Sequence, residues 1–455
     1  MKVTPTPIEG LLIVELDVHG DNRGWFKENW QREKMVAAGL PDFQPVQNNV
    51  SHNAAGVTRG LHAEPWDKLV SVASGRAFGA WCDLREGSET YGQLVTHELR
   101  PDVAVFVPRG VANGFQALEE CAYSYLVNDH WSPEATYTCV NLGMVDWPLE
   151  PTEISEKDKA HPQLAAVSPM PARRILVTGA NGQLGRALKK LLPAAGLGPV
   201  EFCTRADFDV TSPAPRPWKQ YSAIINCAAY NDVNSAETDR AGAWAVNAEA
   251  PAQLARIAAA NSLTLVHVSS DYIFDGSQEV HTEEELPSPL SAYGASKAAG
   301  ETAARTAPRH FVIRTSWVFG DGPNFMGTMR ALAAKNVQPK VIHDQRGRPT
   351  FAEDLAKGII HLLRTEGESE YGVYNISNSG DVVGRDEIAM AVFTGVGHDP
   401  SEVTPVSTEQ YREIAGPEAP RPKESTLSLD KIQATGFTPM NWRAALALYL
   451  GLYPA

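Results

Sequence analysis

The sequence has little positive charge, and this shortage excludes whole classes of partner. Its 455 residues include 40 Lys and Arg against 54 Asp and Glu, which gives a formal net charge of −14. Proteins that bind nucleic acid or a membrane surface usually carry a basic patch, so we expect neither partner. A few local arginines and backbone amides can still hold an anionic small molecule.

Cysteines are few, and long apolar runs are missing. No two of the five cysteines form a C-x-x-C pair, which predicts free thiols in a reducing compartment. The N-terminus lacks a charged start followed by an apolar stretch, so it predicts no secretory signal. No run reaches the ~18 apolar residues of a membrane helix. These observations together predict a cytoplasmic protein.

What the sequence does contain indicates two halves of different construction. Residues 1–150 show short apolar or alternating runs between turn signals, such as KLVSVASGRAFGAWCDLR and VAVFVPRG, which is typical of an all-β sandwich or barrel. From residue 174 onward, apolar strands alternate with Ala-rich helical stretches. That alternation predicts a parallel sheet with helices on both faces.

The second half opens with RILVTGANGQLG, a strand, a glycine turn and the start of a helix. Gly179, Gly182 and Gly185 let the backbone turn sharply and approach a pyrophosphate, which then rests on the helix N-terminus. Such turns are common, and the alternation of strands and helices around this one favours a dinucleotide site. We therefore predict a nicotinamide cofactor here.

Further along, YGASK places Tyr293 and Lys297 on one helical face. Lys297 can lower the pKa of the Tyr293 hydroxyl and hold the cofactor ribose. Tyr293 can then protonate a carbonyl oxygen as hydride reaches the carbon. Ser270 ends a predicted strand, where the sites of α/β proteins gather, and can bond the same oxygen.

Seven segments of the second half resemble the dTDP-4-dehydrorhamnose reductases of the extended short-chain dehydrogenase/reductase family. They are NCAAYNDVNSAE, HVSSDYIFDG, YGASKAAGE, IRTSWVFG, NFMGTM, DQRGRPT and RPKESTL. The resemblance implies a Rossmann-type doubly wound parallel sheet with a small substrate-binding lobe, and reduction of a 4-keto sugar on a nucleotide. Ser270, Tyr293 and Lys297 fall on the family's catalytic triad, which often has Thr in the place of Ser270.

The same resemblance gives cofactor and substrate residues. Predicted cofactor residues are Gly179, Asn181, Gly182, Gln183, Leu184, Gly185, Arg205, Ala228, Ala229 and Tyr230. Predicted substrate residues are Asp271, Tyr272, Trp317 and Arg421. Arg205 follows the second strand, where it can grip a 2′-phosphate, and no acidic residue ends that strand. We therefore expect NADPH, with NADH as the alternative, although Arg205 can also be an ordinary surface arginine.

Four segments of the first half resemble the dTDP-4-dehydrorhamnose 3,5-epimerases, which are jelly rolls of the cupin type. They are GDNRGWFKENW, QPVQNNVSHNAAGVTRGLHAEPWDKLV, VPRGVANGF and SEKD. The implied domains are an epimerase over 1–165, a linker over 166–173 and a reductase over 174–455. The implied function is two consecutive steps of dTDP-L-rhamnose synthesis on a dTDP-linked sugar. Such epimerases are usually dimeric, so we expect a homodimer through the first half.

The chemistry of epimerisation specifies the groups that the first half needs. A 4-keto group acidifies the protons on C3 and C5, so inversion requires a base, an acid on the opposite face and cations for the enolate oxygen. His62 suits the base, because its pKa lies near neutrality. By resemblance Asp158 orients His62, Tyr125 donates the proton, and Arg59 and Lys68 carry the negative charge. The implied nucleotide-sugar contacts are Arg23, Glu28, Gln47, Asn48 and Asn49.

Departures from the family pattern leave alternatives open. Tyr123 can be confused with Tyr125, and Asn113, Trp131 and Thr136 stand where the family commonly has His, Tyr and an acidic residue. The first half can therefore epimerise one carbon only, act on a related sugar or bind without turnover. A catalytically silent nucleotide-sugar or NADP-binding protein is the alternative of a different class.

A metal is not expected in the first half. Many cupins bind one, but His52, His62, His97 and His130 do not follow the H-x-H spacing with a following Glu and a distant His.

Overall fold

The computed structural model describes residues 1–131 and 135–452. The chain divides into two compact units, Met1–Ala172 and Arg173–Ala455. No helix among the described residues is long and apolar enough to cross a membrane.

The first unit is built on antiparallel sheets. Its strands are β1 (Lys2–Pro5), β2 (Leu12–Glu15), β3 (Val18–Asp21), β4 (Gly24–Lys27), β5 (Gln47–Asn53), β6 (Thr58–Ala63), β7 (Lys68–Ser74), β8 (Ala77–Asp83), β9 (Leu94–Leu99), β10 (Val103–Val107), β11 (Val111–Ala117), β12 (Cys121–Val127) and β13 (Thr138–Cys139). Its helices are α1 (Arg32–Ala37) and α2 (Glu156–Lys159). The strand orders are β1-β2-β10-β7-β12-β5 and β13-β6-β11-β8-β9, with β3 and β4 as a separate hairpin.

Alternate side chains of strand β10 pack into two different buried clusters. Val103, Val105 and Val107 join one buried cluster with residues of β7, β8 and β11, whereas Ala104 and Phe106 join a second cluster with Met35 of α1. Side chains alternate between the two faces of a strand, so a continuously apolar strand is covered on both sides.

The segment predicted as a linker over 166–173 is partly built into the first unit. Met170 is fully buried, and its backbone N–H donates to the carbonyl of Leu84 at 2.7 Å. Met170 is the largest apolar side chain of this segment, and removing it from water explains the packing.

The second unit contains a parallel sheet. Its strands are β14 (Arg174–Thr178), β15 (Val200–Phe202), β16 (Tyr221–Asn226), β17 (Thr264–Val268), β18 (His310–Arg314), β19 (Val318–Phe319), β20 (Lys340–Ile342), β21 (Arg346–Gly347), β22 (Thr350–Phe351), β23 (Gly372–Asn375), β24 (Val383–Gly384) and β25 (Thr404–Val406). Its helices are α3 (Gln183–Leu191), α4 (Arg240–Trp244), α5 (Ala250–Ala260), α6 (Ala292–Ala304), α7 (Phe325–Ala334), α8 (Ala352–Arg364), α9 (Arg385–Gly395), α10 (Thr408–Ala415), α11 (Asp430–Ala434) and α12 (Trp442–Leu452).

The parallel sheet has the strand order β15-β14-β16-β17-β18-β23 and helices on both faces. Ile175 and Val177 of β14 pack with α3 and α8, whereas Leu176 packs with α5 on the other face. The order reverses between β14 and β16, and ligands of open α/β sheets bind at such a switch point. A separate apolar core joins α7, α9 and α12 with the short strands β19 and β22.

Two candidate active sites

The first unit contains a cavity of about 470 Å³ lined by β5, β6, β11 and β12. Several predicted catalytic and binding residues line it together. They are Asn49, Arg59, His62, Lys68, Tyr125 and Asp158.

His62 and Asp158 form a hydrogen-bonded pair, although they lie 96 residues apart. His62 Nε2 is 2.9 Å from Asp158 Oδ1, and Asp158 Oδ2 accepts the backbone N–H of Gly60 at 3.2 Å. Burial raises the pKa of Asp158, but the hydrogen bond and charge of His62 and the Gly60 amide outweigh it, so the pKa is lowered. The carboxylate thus holds His62 Nε2 in its protonated form, which leaves Nδ1 as the basic nitrogen.

His161 is a residue that the sequence analysis missed. Its side chain is 7% exposed, its Nε2 is 3.8 Å from Asp158 Oδ1, and its ring meets that of His62 edge-on at 5.2 Å. Burial lowers the pKa of His161, and a positive charge on His62, when His62 takes up a proton, lowers it further, which favours a neutral His161 ring. Its position three residues after Asp158, just beyond the end of α2, was the available signal. One donor atom from each of the three residues lies within 4.8 Å of the others, and the expectation of no metal stays a prediction.

Tyr125 and Tyr123 both line the cavity but differ in their surroundings. The Tyr123 hydroxyl donates to Asn113 Oδ1 at 3.2 Å, and its ring stacks on Phe115 with centroids 3.9 Å apart. The Tyr125 ring lies 5.5 Å from the Lys68 ammonium. Because Tyr123 is committed to Asn113, the geometry favours Tyr125 as the donor.

Four predicted nucleotide-sugar contacts do not line this cavity. Arg23 is paired with Asp21 and Glu28 with Lys34, both on the exposed surface. Gln47 donates to Asn49, and Asn48 accepts from Ser124. The cavity of a single chain thus does not include these four residues.

In the second unit, the glycine turn lies against the end of β16. Gly179 has a φ of +65°, and a Cβ there would meet the Cys227 carbonyl carbon at 2.7 Å. A Cβ on Gly185 would meet Gly179 O at 2.5 Å. Only glycine therefore fits both positions, and the close approach exposes the N-terminus of α3, as a pyrophosphate site requires.

Two cavities, of about 510 and 350 Å³, flank this turn. Every predicted cofactor residue lines one or both of them. Asn247, which the sequence analysis missed, fixes the loop after β16: its side chain bonds both the N–H and the carbonyl of Tyr230, and also Ser296 of α6. The residues present thus fit a nicotinamide dinucleotide.

Arg205 lies at the rim of the larger cavity. Its side chain is 83% exposed, and its Nε is 3.5 Å from Asp209 Oδ2. An exposed guanidinium can turn toward a 2′-phosphate at modest cost, because surface ion pairs are weak.

Ser270, Tyr293 and Lys297 line the smaller cavity together. Burial raises the pKa of the Tyr293 hydroxyl, and a hydrogen bond with Ser270 acts in the opposite direction. Ser270 Oγ also donates to Asp271 Oδ1 at 3.0 Å. Lys297 is 2% exposed and donates to the Val268 carbonyl at 2.5 Å; burial lowers its pKa to about 8.

A third cavity, of about 210 Å³, adjoins Tyr293 and is lined by Asp271, Tyr272 and Trp317. Burial raises the pKa of Asp271 to about 6. Trp317 has a φ of +43°, a strained conformation for a bulky residue that is typical of functional sites.

Arg385 of α9 also lines this third cavity, and the sequence analysis missed it. It donates to the Tyr272 hydroxyl at 2.8 Å and lies 4.8 Å from the Trp317 ring centre. It comes 113 residues after Tyr272, and only the tertiary fold brings the two together. The predicted Arg421 instead bonds Glu418, the Ala419 carbonyl and Asn234, and does not line these cavities.

Comparisons with known proteins match each unit separately. Residues 173–453 match the family model described as RmlD substrate binding domain, and residues 5–166 match that of dTDP-4-dehydrorhamnose 3,5-epimerase. A protein named RmlC homolog from Streptococcus pyogenes is 50% identical over 176 residues, which cover 36% of this chain and 89% of that protein.

The second unit has equally clear relatives. A dTDP-4-dehydrorhamnose reductase of Mycobacterium tuberculosis is 39% identical over 290 residues, covering 61% of this chain and 93% of its own length. The crystal structure of a dTDP-4-dehydrorhamnose reductase from Bacillus anthracis, in complex with NADP, is 33% identical with a TM-score of 0.56, covering 62% of this chain and 100% of that one. These matches confirm both resemblances seen in the sequence.

Proposed function

The chain belongs to the RmlD family of dTDP-4-dehydrorhamnose reductases over residues 173–453 and to the dTDP-4-dehydrorhamnose 3,5-epimerase family over residues 5–166, and from this we propose that it is a bifunctional enzyme of dTDP-L-rhamnose synthesis. The first unit epimerises dTDP-4-dehydro-6-deoxy-D-glucose at C3 and C5, and the second reduces the C4 ketone with NADPH. The observation that supports the proposal best is that one cavity is lined by His62, Tyr125 and Asp158 and another by Ser270, Tyr293 and Lys297, two sets of side chains that suit proton transfer at the same ketone.

Epimerisation uses the residues around the first cavity. His62 Nδ1 takes a proton from the carbon next to the ketone, and the electron pair of the broken C–H bond moves to the C4 oxygen. Asp158 stabilises the resulting imidazolium, as the carboxylate does in other histidine–carboxylate pairs. Arg59 supplies positive charge for the enolate oxygen, and Tyr125 returns a proton to the carbon from the opposite face.

Reduction uses the second site. NADPH supplies the hydride to C4. Tyr293 donates its hydroxyl proton to the C4 oxygen, and Ser270 orients Tyr293 through their hydrogen bond. Lys297 holds the cofactor ribose, and Asp271, Tyr272 and Trp317 line the sugar side of the pocket.

We propose the finer fold assignments on the same basis. The antiparallel sheets of the first unit support a cupin-type jelly roll, and the strand order of the second supports a Rossmann-type doubly wound sheet with a small substrate lobe. An epimerase domain over 1–165 and a reductase domain over 174–455 accord with the two family matches, which end at 166 and begin at 173.

We also propose a cytoplasmic homodimer that associates through the first unit. All five cysteines are free, as in a reducing compartment. Among the described strands, β5 lies at the edge of its sheet. Val50 on β5 is 63% exposed, and Phe26 on β4 is 66% exposed. An edge strand with exposed apolar groups favours pairing with a second copy. Light scattering should give a dimer, and Val50→Glu should give monomer; a monomeric wild-type chain contradicts this.

One observation favours a second candidate, epimerisation at a single carbon. Asn113 stands in the cavity where the family commonly has His, and its amide accepts from Tyr123. An amide does not titrate near neutrality, so it cannot act as the acid or base that a histidine provides. A chain that labels C3 but leaves C5 unlabelled would support this candidate.

The proposal is tested by mixing the purified chain with dTDP-4-dehydro-6-deoxy-D-glucose and NADPH and identifying the product by NMR. We expect NADPH oxidation and dTDP-L-rhamnose. Thermal stabilisation by NADPH without any oxidation would contradict the proposal and indicate a binding protein.

A further inference from the structure

Glu64 is an acidic residue in the wall of the first cavity, where the proposed reaction creates negative charge. Its side chain is 15% exposed, its carboxylate is ion-paired with the Lys68 ammonium, and it accepts the indole N–H of Trp66 at 2.8 Å. A carboxylate beside a developing enolate opposes its formation. Its presence therefore requires a physical explanation.

The ion pair changes what Lys68 can contribute. Lys68 is 6% exposed, and its charge is balanced by Glu64 inside the same wall. The pair as a whole is neutral and does not offer a full positive charge to the enolate oxygen. Arg59, which lines the cavity and donates to the neutral amide oxygen of Asn53 at 2.9 Å, keeps that role.

Both charges of the pair act on the proton donor. The Lys68 ammonium lies 5.5 Å from the centre of the Tyr125 ring. Burial raises the pKa of Tyr125, the negative charge of Glu64 raises it further, and the positive charge of Arg59 lowers it. Two other phenols adjoin Tyr125. They are Tyr123, on the same strand, and Tyr137, whose pKa is raised to about 12 by burial first and Glu64 second.

We propose that Glu64 is a positioning residue of the epimerase site, an inference that rests on the proposed function. Its carboxylate fixes the Lys68 ammonium against the Tyr125 ring. Its negative charge adds to burial and opposes Arg59, so that the Tyr125 hydroxyl keeps its proton to a higher pH. When the proton is delivered, the O–H bond breaks, the enolate electron pair forms the new C–H bond, and the C4 carbonyl is restored. The tyrosinate then regains a proton from water. A phenol that had ionised beforehand would have no proton to deliver.

The test replaces Glu64 by Gln in the full chain, because glutamine keeps the shape and the acceptor for Trp66 but removes the charge. Deuterium uptake at the sugar carbons is followed by NMR in D2O across a pH range, without NADPH. We expect the alkaline fall in the exchange rate of Glu64→Gln to begin about one pH unit lower than in the wild type. At a fixed alkaline pH this is about a tenfold slower exchange.

Two variants serve as controls. Glu153→Gln removes an exposed carboxylate at the rim of the same cavity, and its alkaline limb should stay at the wild-type pH. Glu64→Gln/Tyr125→Phe should show no shift relative to Tyr125→Phe alone. If the double variant shifts as Glu64→Gln does, the titrating group is not Tyr125 and the proposal is overturned.

A second readout does not depend on turnover. With tyrosine labelled at 13Cζ, the Tyr125 signal is assigned by its absence from Tyr125→Phe and titrated directly. A lower midpoint in Glu64→Gln supports the proposal, and an unchanged midpoint overturns it. Failure of the wild-type chain to exchange deuterium would instead contradict the epimerase function, so the two failures are distinguishable.

Discussion

The two units share a pair of residues, a tyrosine that we propose as the proton donor and a buried lysine, yet they treat the lysine charge differently. Lys68 in the first unit is neutralised by Glu64, whereas the Lys297 ammonium in the second donates to a backbone carbonyl. In the first site the negative charge arises and disappears on the sugar. In the second, an anionic dinucleotide must also be bound. In a site that only moves protons, the positive charge of the buried lysine is neutralised by a carboxylate of the protein. In a site that must also bind an anionic cofactor, that charge is kept for the cofactor.

The largest effects should separate the two sites. We expect His62→Asn to slow deuterium exchange at C3 and C5 about 10²–10⁴-fold, because an amide cannot act as the base. NADPH binding to the second unit should be unchanged, as measured by fluorescence. Exchange that survives in this variant would mean that another group is the base.

Tyr293→Phe is the converse experiment. We expect it to slow NADPH oxidation about 10²–10⁴-fold, since the carbonyl oxygen loses its proton donor, while deuterium exchange continues at the wild-type rate. If this variant lost deuterium exchange as well, the two sites would depend on each other, which would contradict the comparison between them.

Lys297→Met tests whether the buried charge of Lys297 destabilises the second unit. The folded pKa is about 8 against an ordinary 10.5, so between these values the unfolded chain binds more protons and stability rises with pH. The cost of the buried charge is therefore fully present below pH 8. We expect the variant to stabilise the second unit by about 1–2 kcal/mol at neutral pH, and by less near pH 10, while losing reduction. Scanning calorimetry at both pH values measures this; destabilisation at neutral pH would contradict it.

Arg205→Ala should have the smallest effect. We expect about a tenfold rise in the KM for NADPH, because one charge-assisted contact to the 2′-phosphate is lost. The KM for NADH, which has no such phosphate, serves as the control and should stay constant. Equal changes for both cofactors would show that Arg205 does not contact that phosphate.

Much of the second site could be predicted because its signals are local. The glycine turn belongs to one strand and one helix, Tyr293 and Lys297 share a helical face, and parallel strands bring their carboxyl ends to one edge. Arg385 gave no such signal, because it reaches the cavity only through the core of α7, α9 and α12. Arg421 lay in a matching motif but is engaged elsewhere.

The first site was harder to predict because β-sheet pairing is non-local. His62 meets Asp158 only through the approach of α2 to β6, and Glu64 shows its role only once Lys68 and Tyr125 are seen beside it. From the sequence alone we expected Lys68 to offer its full positive charge to the negative charge of the substrate. Four predicted nucleotide-sugar contacts do not line the cavity. A sequence motif therefore identifies the type of a residue but does not say where its side chain lies within a single chain.

The most direct measurement is a single reaction in D2O with dTDP-4-dehydro-6-deoxy-D-glucose, NADPH and the purified chain, read by NMR. We predict dTDP-L-rhamnose with deuterium at C3 and C5 and protium from the cofactor at C4. A reduced sugar without deuterium at either carbon would contradict it, since the second unit would then act without any epimerisation by the first.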